Sequence, residues 1–492
     1  MKRLKHTLIG LITVLLLGSQ GCNSFLNVDI PDQLLKEDYW KTRDQLEAAL
    51  NGVYVKLGDN ILKFLVWGDV RSDIYDSNNG TYQNIIKQDI RTTNATAASW
   101  SDVYVGINWA NSFLKNAEEV LNYDQSVTAD DVASMKSEVY AIRALYYFYL
   151  VRAFQDVPVY LEPYESDTQE AYGPAVAQEQ VYAQIESDLE KALAHAPLSF
   201  PQPTKNYGRI TQKAVKAIWA DVKLWLKQYD ECIQFCNDLE EIYKNKMLTR
   251  ETWFSQFATG NSSESIFEYQ YIDEKRPSPV ANWFRNSNTF YANSMAIRNS
   301  FRKVYPASGS LVTNDTVRYP RSYYGIVVFK YAGVSSEGGT YVMRDAVSAQ
   351  KMNFIFYRFR EVLLMKAEAL AMKGQFDAAV ESINMIRRAS EIEEAAPADY
   401  GKGEMFFDKL LCERIAELGF EGKQWFSMVR MALNTGYESL VINRVATVSQ
   451  YVKEQTMRAR LSDQRGWFMP YLKSEVENNL QLKQKPFYLG KD

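Results

Sequence analysis

Histidine limits what this chain can catalyse more than any other residue. There are two among 492 residues, His6 and His195. A zinc site built on several imidazoles, an HExxH helix or a two-His iron site cannot be assembled from that stock. A nucleophilic triad would need His195 as its base, and no GxSxG-type motif accompanies it. Its place ahead of Ala196 and Pro197 reads instead as the end of a helix, where a cation suits the exposed last carbonyls. Cys232, Cys236 and Cys412 show no regular spacing, so packing positions are expected of them and a disulfide framework or redox pair is not. Asp73, Asp76, Asn78 and Gly80 have the outline of a calcium loop but lack its terminal bidentate Glu, and they read as a solvated turn. Glu413, Arg414, Glu417 and Glu421 recur at helical spacing and read as ion pairs that lock a helix to its neighbours. No metal and no cofactor is expected.

The elements that must position these residues are mostly helical. Only 24 Gly and 14 Pro interrupt the chain, fewer than the usual share of about 12% for the two together. From Glu361 to Arg388, Ala367, Gly374, Phe376, Ala379 and Ile383 recur at the small and bulky positions of a tetratricopeptide helix pair. Ala220, Gln228, Tyr229, Cys232 and Cys236 fall into a similar register between 214 and 242, which gives the paired cysteines a packing role. A third unit runs from Ser137 through Tyr149 and then from Gln178 to Pro197. Further helices are expected at about 43–57, 98–121 and 405–418 from apolar residues at three and four spacing. Residues 250–350 differ: Pro277, Pro279, Pro306 and Pro320 punctuate Tyr-, Asn- and Ser-rich sequence with short β-leaning runs at Ser265–Tyr271 and Ile326–Tyr331. The expected fold class is mainly α, a tetratricopeptide-type α-α superhelix with an inserted irregular lobe containing short β-strands. The expected scaffold covers about 35–250 and 355–430, with the lobe at 250–350 and a C-terminal segment at 431–492.

The N-terminus has the parts of an export signal. Lys2, Arg3 and Lys5 precede the apolar run Leu8–Leu17, which is too short to span a bilayer. Cys22 follows small residues, which resembles a bacterial lipoprotein signal in which residues 1–21 are removed and Cys22 is acylated, although Ser19 stands where Leu is usual. Loss of three basic residues leaves the chain more acidic than its formal −4, which argues against nucleic acid as a partner.

FLNVDIP after Cys22, DYWKTRDQLEAALNGVYVKL, WGDVRSD at 67–73 and WSDVYVGINWANSFL at 100–114 stand in order. RALYYFYLVRAFQDVPV at 143–159, GRITQKAV at 208–215, ESIFEYQY, FREVLLMKAEAL and CERIAELGFEGKQWFSMVR follow. Together they resemble the SusD/RagB family of outer-membrane lipoproteins over nearly the whole chain. The chain departs from the pattern at Ser427, where Asp is usual, and at Gln484-Lys485-Pro486. The resemblance implies a lipid-anchored, non-enzymatic protein at the outer membrane, facing the cell surface. It would capture glycan or oligosaccharide, or peptide in the RagB branch, and pass it to a SusC-like TonB-dependent channel as its lid. A secreted glycosidase is the alternative from another class, needing two carboxylates across a cleft.

A sugar offers C–H faces to flat aromatic rings and hydroxyls to Asp, Asn and Arg. The lobe and the loop at 64–82 supply that combination. The stacking candidates are Trp283, Tyr291 and Tyr324, with Phe284, Phe290 and Tyr319 as weaker alternatives. Trp67, Asp69, Arg71, Asp73 and Tyr75 are expected to add a stacking face and polar hooks. Tyr140, Tyr146, Tyr147 and Tyr149 sit at helical spacing and are assigned to the core.

Overall fold

The computed structural model describes residues 39–492 except 167, 171, 272–274, 286–288, 306–314, 316 and 338–339. The expected signal segment 1–21 and Cys22 lie outside the described residues. Long helices dominate: α1 (Arg43–Asp59), α2 (Ser101–Asn116), α3 (Ala129–Phe154), α4 (Gln178–His195), α5 (Gln212–Trp225), α6 (Tyr229–Tyr243), α7 (Phe359–Met372), α8 (Phe376–Ala389), α9 (Glu404–Leu418) and α10 (Gln424–Thr435). Thr42 and Thr128 start α1 and α3 through capping boxes with Gln45 and Asp131, satisfying backbone donors that a helix N-terminus leaves open.

The three repeat units predicted from small-residue spacing are helical hairpins: α3 packs on α4, α5 on α6 and α7 on α8, and α6 then packs against α7. Ala367, Ala379, Ile383, Ala220, Cys232 and Cys236 are all fully buried, where small side chains let antiparallel helices approach closely. Gly374 makes the α7–α8 turn at φ +76°, and Lys227 makes the equivalent α5–α6 turn at φ +63°. Helix α3 is buried nearly all round from Ser137 to Phe154, Tyr146, Tyr147 and Tyr149 included, as expected of a central helix. Arg143 on α3 forms a bidentate pair with Asp188 on α4, at 2.7 and 2.8 Å. His195 is the last residue of α4 and is exposed.

Two expectations shift. The single helix expected over 98–121 is divided into a turn at Ala95–Ala98, then α2, then a 3-10 segment Ala117–Asn122. The run Ile326–Tyr331 is a two-residue strand, Val327–Val328, followed by a helical turn at Phe329–Ala332. Packing overrides its β propensity: Phe329 stacks on Phe254 with ring centroids 5.5 Å apart, and Lys330 reaches the buried Glu421 carboxylate.

Among the described residues the strands form four antiparallel two-stranded ladders. They are β1 (Tyr75–Asp76) with β3 (Tyr291–Ala292), β2 (Ser265–Tyr269) with β8 (Phe354–Arg358), β4 (Tyr323–Tyr324) with β5 (Val327–Val328), and β6 (Gly333–Glu337) with β7 (Thr340–Met343). Every residue of β2 and β8 is buried, and Arg358 at the end of β8 leads directly into α7. The β2–β8 ladder is therefore the stem from which residues 270–353 leave the scaffold and return. The C-terminal segment folds back onto the first helices, with Met469 N donating to Ala153 O at 2.8 Å and Lys473 N to Thr92 O at 2.9 Å.

Candidate functional site

The loop at 64–82 holds five of the expected ligand-binding residues, and the structure buries all five. A short helix, Ile61–Leu65, continues into a π-turn, Val66–Val70, which tucks the chain beneath α10. Trp67 is fully buried, donates from Nε1 to Ala97 O at 2.8 Å and meets Phe154 edge-on. Asp69 accepts from Gly422 N at 3.0 Å, Gln424 N at 2.8 Å and Tyr75 OH at 3.1 Å, so it caps the start of α10. Burial pushes its carboxyl up to about 7, against the pull of those donors. Arg71 donates to Trp467 O at 2.6 Å and Gly466 O at 2.7 Å and lies over the Trp425 ring, and burial lowers its guanidinium to about 10. Asp73 pairs with Arg444 at 2.9 Å and lines a recess of about 300 Å³ with Ser300 and Lys303. These residues are anchors beneath the surface, a correction to their expected role as stacking face and hooks. The expected solvated turn is corrected with them: Asp73 and Asp76 are buried, and only Asn78, Asn79 and Gly80 are exposed. No group of three or more metal-ligating side chains is found among the described residues.

Several lobe aromatics meet the same fate. Tyr75, Phe284, Phe290, Tyr331 and Phe420 form one buried cluster, with centroid separations from 4.6 to 6.4 Å. Phe284 and Phe290 thus seal the lobe to the scaffold and are removed from the stacking candidates. Tyr319 is half-buried against Phe301. Tyr324 lies in β4, and its side chain is outside the described residues.

Trp283 and Tyr291 remain half-buried. Tyr291 sits where three chain segments converge. The β1–β3 ladder pairs it with Asp76, and its hydroxyl lies 3.3 Å from Oδ1 of the exposed Asn78. The Tyr451 hydroxyl donates to Ser77 O at 2.9 Å and accepts from Ser77 N at 3.1 Å, while Asn293 Nδ2 donates to Val448 O at 3.0 Å. Tyr82, half-buried, rests on Phe290 at 4.6 Å. The result is a rim of Tyr291, Tyr451, Tyr82 and the exposed Asn78 amide, fixed from below by backbone hydrogen bonds. Beneath it, burial pushes the Asp76 carboxyl up to about 7 although the Tyr451 hydroxyl pulls it down, and one of its oxygens has no partner among the described residues. Perturbed carboxyls of this kind are concentrated at functional sites. Sequence reasoning missed Tyr451 and Tyr82, because only the fold brings 448–451 to the lobe.

Behind the rim, the lobe is held by charge. Glu413 receives Arg318 at 2.7 Å, Arg387 at 2.9 Å and the Tyr400 hydroxyl at 2.8 Å. Glu417 receives Arg358 at 2.7 Å and Trp253 Nε1 at 3.0 Å. Glu421 receives Arg358 at 2.9 Å and Lys330 at 3.0 Å. These pairs are fully buried, as the helical spacing of the glutamates had suggested. Arg318 and Lys330 come from the lobe, and the carboxylates come from α9 and the turn after it.

Residues 240–488 match the model of the SusD family, and residues 24–224 match a SusD-like model described as "Starch-binding associating with outer membrane". SusD-like protein P38 of Formosa agariphila is 23% identical over 484 residues, covering 87% of this chain and 92% of its own. SusD-like protein P2 of the same organism is 26% identical over 487 residues, covering 88% and 91%. A solved SusD superfamily protein from Bacteroides vulgatus superposes with a TM-score of 0.70 at 19% identity, over 91% of this chain and 99% of its own. A solved laminarin-binding SusD-like protein superposes at 0.66 and 19% identity, over 91% and 100%. With the mainly helical repeat fold and a family match across more than half its length, this chain belongs to the SusD family.

Proposed function

We propose that the protein captures oligosaccharide at the outer membrane without cleaving it. It hands the ligand to a partner TonB-dependent channel, for which it serves as the lid, and an acylated Cys22 holds it at the membrane. The observation that carries this reading is the rim at the lobe seam, where the half-buried Tyr291, Tyr451 and Tyr82 converge beside an exposed amide. Flat rings beside amide groups suit the alternating apolar faces and hydroxyl edges of a sugar. The starch-binding description of the matching family model and the laminarin-binding neighbour support the same ligand class. Trp283 adds a second stacking surface.

Titration calorimetry with neutral β- and α-glucan oligosaccharides tests the reading. Binding heat with the oligosaccharide recovered intact is expected. Tyr291→Ala and Trp283→Ala should each weaken binding by about 1–3 kcal/mol. New reducing ends would assign the chain to hydrolysis. Binding of peptides in place of glycans would move it to peptide capture.

A further inference from the structure

A cleft of about 690 Å³ opens far from the lobe in sequence, between the first turns of α2, the loop 158–172 and residues 475–482. No described residue of the lobe lines it, so it is separate from the rim. Its volume falls within the range of roughly 300–1,000 Å³ typical of small-molecule sites. Trp100, Tyr104, Tyr160, Tyr164 and Tyr172 line it. Tyr164 is 43% exposed and Tyr172 46% exposed. Clustered exposed aromatics on a soluble surface mark sites of binding.

The cleft is built rather than incidental. The Tyr147 hydroxyl donates to Tyr160 O and accepts from Tyr160 N, both at 2.8 Å. Asn111 Nδ2 donates to Tyr160 O at 2.9 Å, Tyr104 OH to Pro158 O at 2.7 Å, and Asn108 Oδ1 accepts from Tyr164 N at 2.6 Å. Gly173 N donates to the Tyr160 hydroxyl at 2.9 Å, and Asn479 Nδ2 donates to Gly173 O at 2.9 Å. Side chains of α2, α3 and the C-terminal segment thus hold Pro158, Tyr160, Tyr164 and Gly173 in place, which lowers the ordering cost of binding.

Charge then narrows the ligand. Glu162, Glu170 and Glu475 line the cleft, and among the described residues no Lys, Arg or His does. Glu162 has Lys115 at 3.8 Å, and Glu170 accepts from Gln481 at 2.9 Å. Glu475 has no cation partner among the described residues. It is half-buried beside Trp100, Tyr104 and Tyr160, and burial raises its carboxyl against a hydrogen bond from Trp100. Electron-rich rings and carboxylates gathered in one cleft attract cations and repel anions. The backbone donors Tyr160 N, Tyr164 N and Gly173 N are already taken by side chains, so the loop offers them to no extended peptide.

We propose that this cleft is a second ligand site, for oligosaccharides that carry free amino groups as ammonium. The inference shares only the ligand class with the glycan reading of the rim and occupies different residues.

Calorimetry on the full chain with a glucosamine tetrasaccharide, its N-acetylated counterpart and an oligogalacturonate tests it. The amino form should bind at least 10-fold more tightly than the acetylated one, and the galacturonate should not compete with it. Glu475→Gln and Tyr172→Ala, each checked for an unchanged melting curve, should weaken the amino form 5- to 50-fold. Tyr291→Ala at the rim should leave that affinity unchanged. Absence of amino-form binding, indifference to both cleft variants, or loss on Tyr291→Ala would overturn the proposal. Tight binding of a lysine tripeptide without the tetrasaccharide would overturn it as well. Neutral glucan bound through Tyr291 with no amino-form binding sinks only the cleft, and amino-form binding through the cleft with no neutral glucan binding sinks only the rim.

Discussion

Trp67 and Trp283 separate the two uses this chain makes of its aromatic surplus. Trp67 is enclosed, with its indole N–H spent on Ala97 O and its ring edge against Phe154. Trp67→Ala should cost about 3–5 kcal/mol in chemical denaturation, because both a cavity and an unpaired carbonyl result. Trp283 is only partly buried against the core, so Trp283→Ala should cost about 1 kcal/mol or less in the same denaturation series while still lowering glycan affinity. An equal stability loss in the two variants would show that Trp283 is core. The sequence could not make this division. WGDVRSD carries no helical period, and some of the partners that bury it lie 355 and 396 residues away: Asp69 bonds to Gln424 and Arg71 to Trp467. Local pattern marks such a segment as unusual without revealing whether it faces water or the interior.

Helical hairpins were legible because their spacing constraint is local. Two antiparallel helices come close only where small residues recur, so Ala367 with Ala379 and Ala220 with Cys232 announce the contact within one short stretch. The β2–β8 stem was half legible: the β-leaning run at Ser265 stood out, whereas its partner Phe354–Arg358 merges into the helix that follows and shares its apolar character. The rim and the tyrosine-lined cleft were beyond reach, since each joins segments hundreds of residues apart. The hairpin turns carry their own test. Gly374 and Lys227 occupy equivalent turns at φ +76° and +63°, a region that L side chains enter at a cost of about 1 kcal/mol. Lys227→Gly should therefore raise stability by about 0.5–1 kcal/mol and Gly374→Ala lower it by about 1 kcal/mol, read from denaturant midpoints at constant m. Opposite signs are the expected result, and a shared sign would mean that side-chain contacts rather than backbone conformation govern these turns.

At the scale of the whole molecule, the question is what keeps an irregular lobe on a helical scaffold. Aromatic packing supplies part of the answer, and the buried ions supply the register: Arg318 and Lys330 from the lobe meet Glu413 and Glu421 of the scaffold, with Arg358 bridging Glu417 and Glu421. Burial pushes these three carboxyls up, but the guanidinium and ammonium groups outweigh it and hold each at about 2. Each folded-state value lies below the ordinary 4.5, so each charge contributes stability that is fully present above about pH 4.5 and drains as pH falls toward 2. The contribution is on the order of 3 kcal/mol per group, shared because Arg358 serves two of them. Glu417→Gln should cost about 3–5 kcal/mol at pH 7, since Arg358 and Arg360 lose a charged partner in a dry interior. Below pH 4.5 the gap between wild type and variant should narrow, because the wild type is then losing the charge that the variant never had. Melting curves of both proteins from pH 7 to pH 3 read this directly. A gap that stays constant to pH 3 would mean that the Glu417 charge does not hold the lobe, leaving that task to the aromatic cluster of Tyr75, Phe284, Phe290, Tyr331 and Phe420.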